Sequence, residues 1–244
     1  MGRTFENRKH AMAKRGARDA KAFTRAGRLI AMAVKAGGPS PEGNPTLRRA
    51  IQNAKSVSMP KDKIQAAIDK ASGQGDNDSY EPALYEGFGP HGVAIIVDAA
   101  TDNPTRTIAN IRAAFGKGGG KLGASGSVSF MFDLFGFFRL TPDGIERDEL
   151  ELELIDHGLE ELVDGEDDDG KPQLILRCSR DSFGALQGAL EERSIEPVSS
   201  GFEWVPKTTT EVTEAQADEI SALFDRLEAD DDVQEVFSNL VIAE

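Results

Sequence analysis

The chain has 244 residues, 39% of them hydrophobic and 29% charged, with 28 Lys and Arg set against 42 Asp and Glu for a formal net charge of −14. That length and apolar content fit two or three folded cores and exclude wholesale disorder. No apolar run approaches the roughly 18 residues of a membrane span, and the one cysteine, Cys178, excludes an internal disulfide framework or thiolate metal cluster, as expected of a cytoplasmic protein.

The charge is unevenly spread. Residues 1–72 hold 16 Lys and Arg against 5 Asp and Glu, whereas residues 73–244 hold 12 against 37. A basic head on an acidic body points to a polyanionic partner for one end. The head has no apolar stretch of the kind a secretory signal needs, and no serine precedes Ser40, unlike the Ser-rich transit peptides.

In chain order, residues 17–36 are Ala-rich and free of proline and stop at Gly37-Gly38-Pro39, which predicts a helix. Projected at 100° per residue, Lys14, Arg18, Lys21, Arg25, Arg28 and Lys35 fall within an arc of about 100°, with Phe23, Ala26, Ile30, Ala33 and Val34 opposite. Asn44 followed by Pro45 predicts the cap and first turn of a second helix, and Pro60 the start of a third. These three make a small helical bundle. Residues 73–79 have linker composition.

Beyond the linker, strands and helices alternate. Residues 92–100 predict a buried strand, Asn103-Pro104 a helix start, and residues 126–132 another strand. Then follow the strand "FGFFRL", a helix near 149–159, the strands "EELVDG" and "PQLILRC", a helix near 182–193 and the strand "EPVSSGFEWV". That series reads β-α-β-β-α-β. A helix at 214–228 and the strand "VQEVFSNLVI" close the chain. The expected fold is α+β in three domains: a basic helical domain at 1–74, an α/β domain at 75–133 and 206–244, and a second α/β domain inserted at 134–205. Both α/β domains are expected to be ferredoxin-like.

The basic stripe is the strongest chemical signal. Solvated helix faces normally mix signs, and this one carries almost no acid, so it suits phosphate backbone. The candidate nucleic-acid-binding residues are Arg3, Arg8, Lys9, Lys14, Arg15, Arg18, Lys21, Arg25, Arg28 and Lys35, with Arg48 and Arg49 on the second helix. The competing reading is that the stripe packs on the protein's own acidic body. Phe5 is the one aromatic placed to stack on a base.

Other patterns have plainer readings. Gly118, Gly120 and Gly123 match a dinucleotide fingerprint, but a helix precedes them and a strand follows, the reverse of what that site needs, and Lys121-Leu122 fails the Walker pattern. The acidic run at 164–170 lacks calcium-loop spacing and reads as a hairpin turn. His10, His91 and His157 stand far apart, Asp102 and Arg106 read as a helix cap and local ion pair, and Cys178 reads as core. No nucleophile-base-orienter set is present, so neither catalysis, a metal, a cofactor nor a small-molecule substrate is expected.

Five segments resemble the YebC/PmpR family: "GRTFENRK", "NPTLRRAIQNAKSVSMPKDKIQAAIDKA", "YEGFGPHGVAIIVDAATDNPTRT", "GGGKLGASGSVSFMFD" and "DDVQEVFSN". The chain departs from the usual pattern at its opening, at Ser58 and in "LFGFF". The resemblance implies a three-domain cytoplasmic regulator of gene expression without enzymatic activity. Within that family the implied roles are a DNA-binding transcriptional regulator or a ribosome-associated translational activator that relieves stalling, with ribosomal RNA as its nucleic-acid partner.

Overall fold

A computed structural model describes the backbone of residues 3–73, 79–167 and 170–243, and the side chains of the first helix from Ala20 onward. The fold is α+β. Helix α1 (Arg3–Gly37) is followed by α2 (Pro45–Ser56) and α3 (Lys61–Ser72). Ala26, Ile30, Ala33 and Val34 of α1 are buried against Leu47, Ala50 and Ala54 of α2 and Ile64 and Ile68 of α3. Phe23 packs at the edge of this core, with Lys63 Nζ 4.9 Å from its ring centroid. Asn44 ties α1 to α2. Its Oδ1 accepts from the Leu47 N–H (3.0 Å), as an N-cap does, while its Nδ2 donates to the carbonyls of Ala33 (2.7 Å) and Gly38 (2.9 Å).

The rest of the chain forms β1 (Glu81–Phe88), β2 (Ala94–Thr101), α4 (Pro104–Lys117), β3 (Lys121–Leu122), β4 (Phe132–Leu140), α5 (Arg147–Ile155), β5 (Leu159–Glu166), β6 (Pro172–Ser179), α6 (Phe183–Glu192), β7 (Ser199–Pro206), β8 (Thr210–Val212), α7 (Glu214–Glu228), β9 (Val233–Ser238) and β10 (Leu240–Ile242). One sheet has the order β3-β1-β2-β9, a second the order β5-β6-β4-β7, and β8 pairs with β10 in parallel. By contacts the chain divides into two compact units: residues 1–85, 97–118 and 222–236, and residues 86–96, 119–221 and 237–244.

Within the second unit, β4-α5-β5-β6-α6-β7 gives the split βαβ succession, with all neighbouring strands antiparallel. Phe138 stands opposite Leu176 on one side and Ser200 on the other, and its ring stacks on Phe183 at 4.5 Å. Leu150 and Leu154 of α5 and Leu186 and Leu190 of α6 complete this core. Gly136 sits in the middle of β4 because a Cβ there would come within 2.5 Å of the Phe183 ring and 3.1 Å of Cys178 Sγ. Cys178 is a buried core thiol whose pKa burial pushes up to about 11. Glu166 pairs with Pro172, so the acidic run closes a β5–β6 hairpin; residues 168 and 169 lie outside the described residues.

Several elements differ from the sequence reading. The strand expected at 126–132 is a turn with positive φ at Gly126 (82°), then a short 3-10 stretch at Ser129–Met131. The reason is Glu86, a buried carboxylate in β1 that accepts from the N–H groups of Gly126, Val128 and Ser129, each at 2.8 Å. Burial opposes its charge, but these hydrogen bonds hold its pKa below the ordinary value. The backbone donors a strand would offer to a neighbour are turned onto this side chain. The outer α/β part is built on β1, which the sequence reading did not predict, and on a two-residue β3 in place of the 126–132 strand. The helix expected to reach 159 ends at Ile155, with Gly158 at φ 89° leading into β5. The final strand is two, because Asn239 folds inward. Its Oδ1 accepts from the Ala94 N–H (2.9 Å) and its Nδ2 donates to Thr210 Oγ1 (3.0 Å).

Candidate nucleic-acid interface

From Ala20 onward, the residue spacing that fills the bundle core leaves the basic residues of α1 off the core face. Lys21 and Lys35 are exposed, Arg25 is half-buried, and Arg28 is nearly covered, its side chain 11% exposed. The side chains of Arg3, Arg8, Lys9, Lys14, Arg15 and Arg18 lie outside the described residues, as does Phe5. On α2, the exposed Arg48 donates from Nη1 to the carbonyls of Pro41 and Glu42, both at 3.1 Å, bracing the loop before its own helix. Arg49 is half-buried, and that burial lowers its pKa.

Arg28 belongs to a second arrangement. Its Nη1 lies 2.7 Å from Asp232 Oδ1 and donates to the Ala100 carbonyl at 3.0 Å, while its guanidinium carbon stands 5.0 Å from the centroid of the Tyr80 ring. Asp232, whose side chain is 2% exposed, also receives both of its oxygens' bonds from Arg106 Nη2, at 3.0 and 2.7 Å. The hydroxyls of Thr107 and Thr101 stand 2.6 and 3.2 Å from Oδ2. Burial disfavours this charge, and the Arg106, Thr107 and Arg28 contacts outweigh it, so the Asp232 pKa is lowered. Arg106 is raised in turn, through its bonds to Asp232 and to Asp102 at 2.7 Å. Arg25 Nη2 reaches the Glu228 carbonyl at 3.4 Å. A cleft of about 510 Å³ beside this node is lined by Arg28, Arg106, Asn110, Arg226 and residues 229–232.

The stripe is therefore divided. Lys21 and Lys35 face solvent, whereas Arg25 and Arg28 converge on the acidic segment at 228–232. Packing on the protein's own acids and presenting charge to solvent are both realised, by different residues of one helix face. Sequence alone does not single out Asp232, Thr101 or Thr107, and it gives Asp102 and Arg106 only a local role. That local pair is present, but Arg106 is also half of the Asp232 clamp. The signal was the pair of segments "ATDNPTRT" and "DDVQEVFSN", whose side chains meet only in three dimensions.

The Gly-rich loop runs out of α4 into β3, where Phe88 pairs with Lys121 and Gly87 with Leu122. Gly118 is packed: a Cβ there would come within 2.7 Å of Leu223. Gly123 is held by its N–H to the Glu86 carbonyl at 2.8 Å. These glycines serve close packing and turns, with the helix before the loop and the strand after it. Among the described residues no group of three or more His, Cys, Asp or Glu is placed to hold a metal, and no helix is long and apolar enough to cross a membrane.

Comparison with known proteins matches residues 3–74 to the TACO1/YebC protein N-terminal domain and residues 80–240 to the TACO1/YebC second and third domain. The chain is 53% identical over 240 residues to a probable transcriptional regulatory protein of Anaeromyxobacter dehalogenans, covering 98% of this chain and 100% of the relative. It is 48% identical to a probable transcriptional regulatory protein of Cytophaga hutchinsonii across the full length of both. Among solved structures it is similar to a conserved hypothetical protein from Aquifex aeolicus, with TM-score 0.81, 36% identity and coverage of 95% of this chain and 94% of the other.

Proposed function

This chain belongs to the TACO1/YebC family, and from that premise we propose that it is a non-enzymatic regulator of gene expression that grips nucleic-acid phosphate backbone with its basic N-terminal helices. The N-terminal domain at 1–74 is the contacting part, and the acidic α/β domains at 75–133 with 206–244 and at 134–205 carry it and limit non-specific binding. The name shared by its relatives, probable transcriptional regulatory protein, supports the regulatory role. The observation that carries the phosphate-gripping reading is the exposed Lys21 and Lys35 on the face of α1 opposite its buried Ile30 and Val34, in a segment with 16 basic and 5 acidic residues.

A basic face of this kind favours backbone contact over base reading. Base-edge readout calls for Asn, Gln and Arg placed to enter a groove, and α1 offers Lys and Arg for phosphate. Sequence preference then comes from DNA shape or from a partner. The expected ratio of affinity for a regulated promoter over scrambled DNA is no more than about 100-fold, below the thousandfold or more of typical specific regulators. Competition binding at physiological salt, run beside ribosome co-sedimentation, tests this. High promoter selectivity without ribosome association would establish a conventional transcription factor. Ribosome association with no promoter preference would move the protein to translational activation through ribosomal RNA.

A further inference from the structure

Helix α5 has apolar residues on two sides. Leu150 and Leu154 enter the core, while Leu152 and Ile155 are 73% and 54% exposed. Three positions apart on one helix face, these two side chains adjoin each other. Exposed aliphatics are ordinary when scattered singly; a pair on one short helix whose core-facing side is already complete calls for an occupant.

The chemistry around the pair says which occupant. Asp148 and Glu151 on α5 and Asp156 just after its end flank the pair. At the start of the same helix lies a cleft of about 630 Å³, whose charged lining is Asp143, Glu146, Glu149 and Glu196 with the single cation Arg193. The nearby cations are engaged: Arg147 with Asp164 at 2.7 Å, and Arg193 with Glu149 at 3.2 Å and with Glu153. Residues 134–205 as a whole carry 19 acidic and 6 basic side chains. A polyanion is repelled here, and a neutral apolar helix would bury carboxylates without partners. The core-facing side of α1 is closed in its own bundle, and the exposed aliphatics of the described basic helical segment, Leu29 (38%) and Val57 (39%), stand on different elements, so a second copy offers no aliphatic pair at helical spacing there.

We propose that the α5 face, with Leu152 and Ile155 as anchors and the adjoining acidic cleft as its rim, is a docking surface for a cationic amphipathic helix of a protein partner. Aliphatic residues of the partner, spaced three and four apart, cover the exposed pair, and its Lys and Arg meet the acidic rim. This surface is separate from the basic face of α1. The protein thus joins a nucleic acid, through its basic helices, to a basic protein, through α5.

The test uses the full chain and a labelled peptide, acetyl-LKKLLKKLLKKLLK-amide, with an oligolysine of equal charge as reference. Fluorescence anisotropy at physiological salt is expected to give tighter binding of the amphipathic peptide. The double variant Leu152→Ser/Ile155→Ser, which keeps every charge, should weaken that peptide by roughly tenfold or more and leave oligolysine unchanged. Both residues are exposed, and an unaltered melting curve verifies that the variant folds. Equal binding of the amphipathic peptide to wild type and variant would overturn the proposal, as would equal binding of the two peptides to wild type. Concentration-dependent self-association in sedimentation velocity, lost in the double variant, would also overturn it by making a second copy the occupant.

Discussion

Arg28 Nη1 and Asp232 Oδ1 lie 2.7 Å apart although 204 positions separate the two residues in the chain. The Asp232 carboxylate is buried and already receives Arg106 and two threonine hydroxyls, so Arg28 completes a desolvated charge cluster joining α1 to β2, α4 and the segment before β9. Pairs of this kind are sensitive to which partner is removed, because the one left behind stays buried.

Replacing Asp232 by Ala removes the carboxylate partner of the nearly covered Arg28, while the half-exposed Arg106 keeps Asp102. The expected loss of stability is about 3–5 kcal/mol. Arg28→Ala leaves Asp232 with Arg106 and the threonines while removing the bonds to Asp232 and to the Ala100 and Asp231 carbonyls, and a smaller loss of about 1–3 kcal/mol is expected. Urea denaturation followed by circular dichroism measures both. An Arg28 effect larger than that of Asp232 would contradict the hierarchy of contacts.

Division of the basic stripe predicts unequal contributions to nucleic-acid binding. Each Lys or Arg that meets a B-DNA phosphate steepens the dependence of log K on log salt by about 0.9. Lys21→Gln should therefore reduce the slope by about that amount, and Lys35→Gln likewise. Arg28→Gln, which removes one charge as the two lysine variants do, should leave the slope unchanged, because Arg28 is held by Asp232 in the free protein. A slope that falls by the same step for Arg28 as for Lys21 would place Arg28 on the phosphates.

Two aspartates give opposite pH dependence. Asp98 in β2, between the buried Val97 and Ala99, has its pKa pushed by burial up to about 6. A raised carboxylate pKa means the folded state holds its proton more tightly, so this site favours folding most at low pH and loses that contribution as pH rises from about 4 to about 6. Asp232 is lowered and contributes in the other sense, its stabilisation being lost as pH falls through its folded pKa. Asp98→Asn is accordingly expected to stabilise by about 1–3 kcal/mol at pH 7.5 and to be close to neutral at pH 4. Thermal melts at the two pH values decide it; an equal shift at both would remove ionisation as the cause.

Glu86→Gln replaces two carboxylate acceptors by one carbonyl and an amide that cannot accept. At least one of the N–H groups of Gly126, Val128 and Ser129 loses its partner, at about 1–3 kcal/mol. Amide hydrogen exchange should quicken in this turn ahead of the β5-β6-β4-β7 sheet. Unchanged protection at Val128 and Ser129 would show that the turn holds itself.

What the sequence determined by itself was whatever depends on neighbours in the chain. Asn44-Pro45 and Asn103-Pro104 cap and start helices through side chains three residues from their targets, and both caps are present, to Leu47 and Arg106. The 3.6-residue rhythm of Phe23, Ala26, Ile30 and Val34 placed the buried face of α1, and the succession of strand-like and helix-like segments after the linker indicated the α+β class. Only the tertiary structure decided the rest. Residues 126–132 have strand-like composition, but the carboxylate of Glu86, forty or so positions earlier, takes their N–H groups and bends them into a turn. The same is true of Arg28. Helical projection placed it with Lys21 and Lys35 as one basic stripe, and spacing cannot reveal that Asp232 arrives beside it. A charge is read from sequence, but its use depends on desolvation and on partners that folding brings together.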